Sequence, residues 1–564
     1  MQQRITINLN TDSKTTDKTT ILEYCRIHGI AGIETPCGGK GTCGKCKVTV
    51  TKPYYKDVLA CQTKICDGME IIVGRKESTV TGTAGHDTQR ISNAGNSIDK
   101  EDSMVVLTNG GNVSEKFNEH VNEHVNRNVV LKEETANESE KVESNEDTLA
   151  ACDIGTTTVV CYLIDKETGQ IISTRSGANP QRSFGADVLS RIDAAARADD
   201  NDKANGGLQM MQTQIVSLLN GWISEMLTEC GRTKVGRFSV AGNTVMCHLL
   251  MGISPEKLGK APFMPDEYFG RKFNPLDIGL ENCQTMIIFP AVSGFVGGDI
   301  TAGMMETVNC NELTLYLDIG TNGEMALGKG DRYVCCATAA GPAFEGAQIE
   351  LGMPASKGAV DKVWLEGRRI KYSVIGNDRP VGLCGSGLID ALAVLLKAGI
   401  IDENGTILSG QELPILFRSY VFEVEAEVAS QSTEPSLAVH IAPGVYITQE
   451  DIRKLQLAKG AIAAGIEVLF KGYGCTPCNI DVLTFAGGFG NYIDKASAAA
   501  IGLFPQELLD KAKEVGNAAG NGAVSAALSQ EAWERALEIS ENMRYIELAS
   551  YPHFNEMYVE HMNF

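Results

Sequence analysis

The stretch Cys152-Asp153-Ile154-Gly155-Thr156-Thr157-Thr158-Val159-Val160 returns, altered, as Leu317-Asp318-Ile319-Gly320-Thr321-Asn322-Gly323-Glu324. Each copy reads as the end of one β-strand, a tight turn and the start of the next strand. In both, an acidic residue stands two places before a glycine and is followed by hydroxyl or amide side chains. That pattern suits a phosphate–Mg²⁺ site. Glycine lets backbone N–H groups approach an anion, Thr and Asn donate hydrogen bonds, and Asp faces the metal or its waters. One Asp-x-Gly is ordinary turn chemistry. Its repetition, each time after an apolar strand, implies an α/β chain with two related half-domains closing on one nucleotide.

A third glycine turn follows much later. Val482-Leu483-Thr484-Phe485-Ala486-Gly487-Gly488-Phe489-Gly490-Asn491 reads as strand, Gly-Gly turn and helix. Bare backbone at Gly487 and Gly488 would let a flat adenine or a ribose lie against it. Between these landmarks, Phe184 to Ile192 begins a helix and Leu208 to Cys230 is a long amphipathic one, with Ile215, Leu218, Leu219, Ile223 and Leu227 on one face. Gly382 to Leu388 opens another helix, whose N-terminus suits an anion or close packing equally well. The glycines of Pro290 to Asp299 read either as tight packing or as a hinge.

The N-terminal part has a different chemistry. Arg4 to Asn10 alternates as a strand and Ile21 to His28 fits a short helix. Cys37, Cys43, Cys46 and Cys61 then follow with the spacing C-x5-C-x2-C-x14-C on and after a glycine-rich loop. Three thiolates on such a loop and a fourth on a nearby turn can enclose a [2Fe–2S] cluster, with loop N–H groups left for its sulfides. A four-cysteine zinc site usually comes as paired C-x2-C knuckles, and only one is present here. Cys66 is an alternative fourth ligand, but Leu59-Ala60-Cys61-Gln62-Thr63 is the better context. The segment resembles plant- and adrenodoxin-type ferredoxins, which are β-grasp folds, with x5 in place of the plant x4. Residues 76–147 shift to Asn, Glu, Ser, Thr and Asp, a composition that cannot bury enough apolar surface to offset chain entropy. An acidic flexible linker is expected there.

Composition bounds the rest. The 564 residues exceed a single core, 43 % hydrophobic residues permit large ones, and the net charge of −21 argues against nucleic acid. No apolar run spans a bilayer and no signal peptide opens the chain, so a cytoplasmic protein without membrane partners is expected. The 17 cysteines, an odd number, then read as reduced thiols or metal ligands, with Cys161, Cys247 and Cys384 as buried structural thiols. Cys475-Thr476-Pro477-Cys478 reads as a turn.

Two phosphate turns and a late Gly-Gly turn resemble the acetate and sugar kinase, heat-shock chaperone and actin superfamily, whose core is a pair of ribonuclease-H-like half-domains. With the ferredoxin segment in front, the chain resembles the reductive activators of corrinoid proteins. Asn179-Pro180-Gln181, Gly242-Asn243-Thr244, Ala486 to Gly490, Gly516 to Gly520 and Phe554-Asn555-Glu556 share in that resemblance. It implies three domains: ferredoxin-like 1–75, linker 76–147 and actin-like ATPase 148–564. It implies that Asp153 and Asp318 handle Mg²⁺ and the attacking water. Gly155, Thr156, Thr157, Gly320, Thr321 and Asn322 would cradle the phosphates of ATP, and Gly487 and Gly488 the nucleoside. The implied activity is ATP-dependent transfer of an electron from the cluster to inactive Co(II) corrinoid methyl carriers, restoring Co(I). The implied partners are that carrier and a low-potential electron donor, with a homodimer left open. Departures from some relatives are the absence of a C-terminal cysteine-rich tail and a linker too polar for a folded middle domain. A small-molecule kinase with a redox-sensing ferredoxin, or a chaperone-like ATPase with a structural metal, are the alternatives that the residues leave open.

The low hydrophobicity of 76–147 predicts that limited proteolysis cuts there first, releasing a brown N-terminal fragment and a colourless ATPase. Resistance of that stretch while the core is digested would contradict the expectation of a linker.

Overall fold

The computed structural model describes residues 4–9, 19–27, 33, 46–52, 56–74, 147–196, 206–424, 436–487 and 492–564. Cys37, Cys43, Gly488 and all of the expected linker but Asp147 lie outside them.

The alternating N-terminal stretches form a four-stranded sheet in the order β1 (Arg4–Leu9), β4 (Met69–Gly74), β2 (Lys47–Lys52), β3 (Lys56–Leu59). Each of its three pairings is antiparallel. Helix Ile21–Ile27 is capped reciprocally: Glu23 N–H donates to Thr20 Oγ1 and Thr20 N–H to Glu23 Oε2. Leu9, Ile21, Leu22, Val48, Val50, Ile65 and Ile71 give this module its own core.

Two compact units follow from the packing of the whole chain, Met1–Asp299 with Gly520–Leu537, and Ile300–Ala519 with Glu538–Phe564. The first unit carries β5 (Thr148–Ile154), β6 (Thr158–Asp165), β7 (Ile171–Ala178), β8 (Val235–Gly242), β9 (Arg271–Phe273) and β10 (Cys283–Ile288). They form one sheet in the order β7-β6-β5-β8-β10-β9. The second unit carries β11 (Thr314–Ile319), β12 (Gly323–Lys329) and β13 (Arg332–Thr338). Two small sheets come next: β14 (Ala359–Glu366), β15 (Arg369–Val374) and β16 (Gly382–Leu383), then β17 (Val421–Val424), β18 (Ser436–Ala442) and β19 (Val445–Thr448). With β20 (Val482–Ala486), β21 (Ala512–Glu514) and β22 (Met543–Tyr545), the main sheet runs β21-β20-β11-β12-β13-β22.

The orders β7-β6-β5-β8-β10 and β13-β12-β11-β20-β21 are the same path. In each, the first two pairings are antiparallel and the next two parallel. The duplicated sequence is thus a duplicated ribonuclease-H-like sheet, and each Asp-Ile-Gly ends its central strand. Central strands of such sheets are covered on both faces and read as continuous apolar runs. Along β5 and β11 every residue is buried except Asp153 and Asp318, which are half-buried.

Each unit has its own core. In the first, helix Gly207–Glu229 presents Met211, Ile215, Leu219, Ile223 and Leu227, with Leu218 at the margin. In the second, helix Gln449–Tyr473 packs on β12 and β13. It starts with a capping box in which Asp451 N–H donates to Thr448 Oγ1 and Thr448 N–H to Asp451 Oδ2. The chain then re-enters the first unit, where Trp533 meets Phe289 edge to face at 5.5 Å.

Two helix starts differ from expectation. The helix expected from Phe184 begins at Val188, because Pro180–Ser183 forms a 3₁₀ turn and Asp187 Oδ1 accepts from Ser190 N–H at 2.7 Å. The helix expected from Gly382 begins at Gly385, because Gly382 and Leu383 pair in parallel with β14. At its start, a Cβ on residue 387 would come 2.2 Å from the Val360 carbonyl, and Ser386 donates to Asp361 O. Packing therefore explains those glycines. The same holds for Gly297, where a Cβ would lie 2.5 Å from Asn243 Cα and Thr244 N. Among the described residues no helix is long and apolar enough to cross a membrane.

Candidate functional site

The first turn is held by its own backbone and by two asparagines from elsewhere in the fold. Gly155 N–H donates to Thr158 O at 3.0 Å, and a Cβ on residue 155 would stand 2.7 Å from that oxygen. Asn179, buried at the end of β7, donates from Nδ2 to Gly155 O at 2.8 Å and from its backbone to Thr157 O at 2.9 Å. Its Oδ1 accepts from Gln181 N–H, an Asx turn that the following proline favours. Asn243 follows β8, caps helix Thr244–Met251 by accepting from Met246 N–H at 2.9 Å, and donates from Nδ2 to Thr156 Oγ1 at 3.0 Å.

Behind the turn lies Arg191, with none of its surface exposed. Its guanidinium donates to Gly185 O at 3.0 Å and to Thr156 O. Burial pulls its pKa down to about 9, which leaves it a cation at neutral pH. A fixed positive charge is thus bonded to the backbone of a turn whose Thr156 and Thr157 side chains remain half-exposed.

The second turn is one residue tighter. Ile154 pairs with Val159, whereas Ile319 pairs with Gly323, and Gly320 N–H donates to Asn322 O at 2.8 Å. Thr321 Oγ1 donates to Glu345 Oε1 at 2.9 Å, and Asn322 Nδ2 donates to Glu324 Oε1 at 3.3 Å. Glu324 lies directly across the β11–β12 pair from Asp318. A Cβ on residue 320 would meet nothing nearer than Glu345 Oε1 at 3.7 Å, an ordinary contact.

The third glycine turn joins the second. Asp318 pairs with Ala486 across β11–β20, so Gly487 follows it directly, at φ +80°. A Cβ there would lie 2.4 Å from Asp318 Oδ1. Gly487 thus suits both its left-handed backbone and the carboxylate beside it, besides any role toward a nucleoside. The first unit repeats the relation: Asp153 pairs with Ala241, and Gly242 comes next. Asn179, Arg191, Asn243, Glu324 and Glu345 received no role from the sequence. The signals for the asparagines were Asn-Pro and Gly-Asn-Thr at strand ends; Glu345 closes a 3₁₀ turn between Gly341 and Gly346.

In the N-terminal module, Cys46 and Cys61 are buried with sulfurs 3.2 Å apart, while Cys66 is exposed. Ala60 N–H donates to Cys46 O at 2.9 Å, which ties the Cys61 turn to Cys46. Paired buried sulfurs without a disulfide fit a shared metal cluster. Among the described residues no three His, Cys, Asp or Glu side chains are placed to hold a metal ion by themselves, and Cys37 and Cys43 are not among those residues. Cys161, Cys247 and Cys384 are buried, and burial raises the Cys247 thiol well above its ordinary value and the Cys384 thiol above its own.

Residues 7–66 match the [2Fe–2S] iron–sulfur cluster binding domain, 149–309 the RACo middle region, and 312–564 the C-terminal domain of RACo, the ASKHA domain. The middle-region match falls on the first half-domain and not on the expected linker. The chain is 32% identical over 590 residues to the corrinoid activation enzyme RamQ of Eubacterium limosum, covering 96% of this chain and 95% of that one. It is 25% identical over 453 residues to a Methanosarcina barkeri reductase of the Co(II) methylated amine-specific corrinoid protein, covering 72% and 75%. A solved reductive activator for corrinoid, iron–sulfur protein superimposes with a TM-score of 0.62 at 30% identity, over 98% of this chain and 96% of that one.

The two turn glycines separate fold from ligand. Gly155→Ala should lower the melting temperature, since its Cβ overlaps the Thr158 carbonyl. Gly320→Ala should leave the melting temperature unchanged or slightly higher, by about 0.4–1 kcal/mol in stability. It should still weaken ATP binding if phosphate approaches that backbone. Calorimetry and nucleotide titration on both variants check this, and an unaltered ATP affinity in the folded Gly320→Ala chain would contradict it.

Proposed function

The chain belongs to the family of reductive activators of corrinoid proteins, and we propose that it couples ATP hydrolysis at its Asp-Ile-Gly turns to the reduction of a Co(II) corrinoid methyl carrier. Cobalt must be Co(I) to accept a methyl group, and stray oxidation leaves it as Co(II). One electron from a low-potential donor converts Co(II) to Co(I). A plant-type cluster lies near about −400 mV, and each ~59 mV of one-electron mismatch is a factor of ten, or about 1.4 kcal/mol. A gap of roughly 100–200 mV is therefore about 2–5 kcal/mol, within reach of a coupled nucleotide cycle.

The observation that carries this reading is the duplicated central strand with one half-buried aspartate, Asp153 or Asp318, at the same place in each copy. We assign these two carboxylates to Mg²⁺ and the attacking water. Mg²⁺ typically takes one or two carboxylates and completes its shell with phosphate oxygens and waters, so a full protein cage is unnecessary. Asp318 and Glu324 face each other across the strand pair, a like-charge arrangement that a cation would relieve. Gly155, Thr156, Thr157, Gly320, Thr321 and Asn322 would hold phosphate, and Gly487 and Gly488 the nucleoside. Asn179, Asn243 and Arg191 would position the first turn, and Glu345 the Thr321 hydroxyl. When bound by Cys37, Cys43, Cys46 and Cys61, a [2Fe–2S] cluster supplies one-electron carriage. The domain division of 1–75, 76–147 and 148–564 is part of the same proposal, supported by the separate core of the N-terminal module.

Asp153→Asn and Asp318→Asn keep shape and remove charge. Each should cut ATP hydrolysis by about 100-fold or more while binding suffers less. Melting temperature and the visible spectrum should hold, and Co(I) should fail to accumulate even with excess reductant. A well-folded, ATPase-dead variant that still forms Co(I) normally would leave a plain electron carrier. Variants that melt early yet keep full activity per folded molecule would make the two aspartates mere hairpin caps.

A further inference from the structure

Arg26, the one basic residue in the last turn of helix Ile21–Ile27, makes contacts outside its own module. Its Nε donates to Ser183 O at 2.9 Å, Nη2 donates to the same oxygen, and the guanidinium stands 4.8 Å over the Phe184 ring. Phe184 is itself buried among the core residues of the first ATPase half-domain. Ser183 ends a 3₁₀ turn, where carbonyl oxygens lack regular intrahelical donors and favour a cation. A planar fork that bonds a carbonyl and stacks on an aromatic face is a contact particular to arginine.

Both ends of this contact are tied to chemistry. On the module side, Ile21 N–H donates to Thr63 O at 2.8 Å, Leu22 N–H to Ala60 O at 3.0 Å and Ile65 N–H to Thr19 O at 2.9 Å. The helix that carries Arg26 is thereby bonded on both sides of Cys61. On the ATPase side, the strap from Asn179 to Gly185 is bonded to the first Asp-Ile-Gly turn. Asn179 reaches Gly155 O and Thr157 O, and Arg191 bridges Gly185 O to Thr156 O.

We propose that Arg26 is a latch that docks the ferredoxin module on the strap 179–185, and that the nucleotide state of the Gly155–Thr157 turn sets how firmly it holds. The coupling half of the proposal rests on the nucleotide reading above; the docking half does not. Movement of the turn on engaging phosphate shifts Asn179 and Arg191, and with them the Ser183 carbonyl and the Phe184 ring that Arg26 grips. Release or tightening of that grip changes how freely the Cys46–Cys61 side of the module reaches other surfaces. A partner to be reduced would then meet the module on a schedule set by ATP.

Hydrogen–deuterium exchange on the full-length chain, read with and without Mg²⁺–ATP and a non-hydrolysable analogue, tests it. The reporters are the hydrogen-bonded amides Arg182, Phe184 and Gly185 on the strap, and Tyr24 on the helix. Without nucleotide, Arg26→Ala should raise strap exchange about tenfold, through the loss of two charge-assisted hydrogen bonds to one carbonyl and one cation–π contact. Arg26→Lys should fall between it and the parent chain. The visible spectrum and basal ATP hydrolysis should stay as in the parent, which excludes misfolding. Adding nucleotide should change exchange at Tyr24 in the parent chain and leave it unchanged in Arg26→Ala. Equal strap exchange in parent and Arg26→Ala overturns the latch. A nucleotide response at Tyr24 that survives in Arg26→Ala overturns the coupling. No nucleotide response anywhere in 153–158 of the parent chain counts against the nucleotide reading itself, overturns the coupling with it, and leaves the docking comparison standing.

Discussion

The carboxylate of Asp318 occupies the space that a side chain on residue 487 would need. That exclusion links two segments far apart in sequence. A Cβ at 487 would push the carboxylate from this position, and the left-handed φ of +80° there favours glycine on its own account. The first half-domain repeats the pairing, with Asp153 opposite Ala241 and Gly242 next, but there a Cβ would meet the Ile154 carbonyl at 3.0 Å and not the acid. In both copies the aspartate alone breaks the otherwise continuous burial of its strand. Sheet order, strand direction and a half-buried acid at the end of the central strand are thus used twice.

The two copies have diverged in what surrounds the acid. The first is backed by a buried arginine and by Asn179 and Asn243, donors that lend the turn positive potential. The second is surrounded by Glu324 and Glu345, which accept from Asn322 and Thr321. The first turn is thus the more electropositive of the two and the second the more acidic. The second turn also has room for a Cβ that in the first would strike the Thr158 carbonyl.

The repeat itself was legible because it is local: an acid, a glycine and hydroxyls within a few residues, preceded by an apolar strand. Helix Gly207–Glu229 was legible from its apolar spacing alone, to within a residue at either end. What supports the turns was not legible, because it acts over distance. Asn243 lies 87 residues from Thr156, and Arg191 lies 35 from it. Neither residue has a local pattern that distinguishes a turn support from an ordinary cap or a surface cation. The glycines at 297 and 387 were undecided for the same reason, since only the packed backbone shows what a Cβ would strike. The return of Gly520–Leu537 to the first unit had no sequence signal either. The third and fourth cysteines of the predicted cluster set are brought together, with Cys61 buried beside Cys46 and Cys66 left outside.

The central claim is that nucleotide hydrolysis, and not donor potential alone, sets how far cobalt is reduced. The direct measurement holds the donor at a fixed potential, mixes the reduced full-length chain with a Co(II) corrinoid methyl carrier and follows the Co(I) absorbance. Three parallel runs contain no nucleotide, Mg²⁺–ATP, or a non-hydrolysable analogue. The account predicts Co(I) beyond the level fixed by the donor only with Mg²⁺–ATP, with the other two runs staying at that level. The same Co(I) level in all three would contradict it.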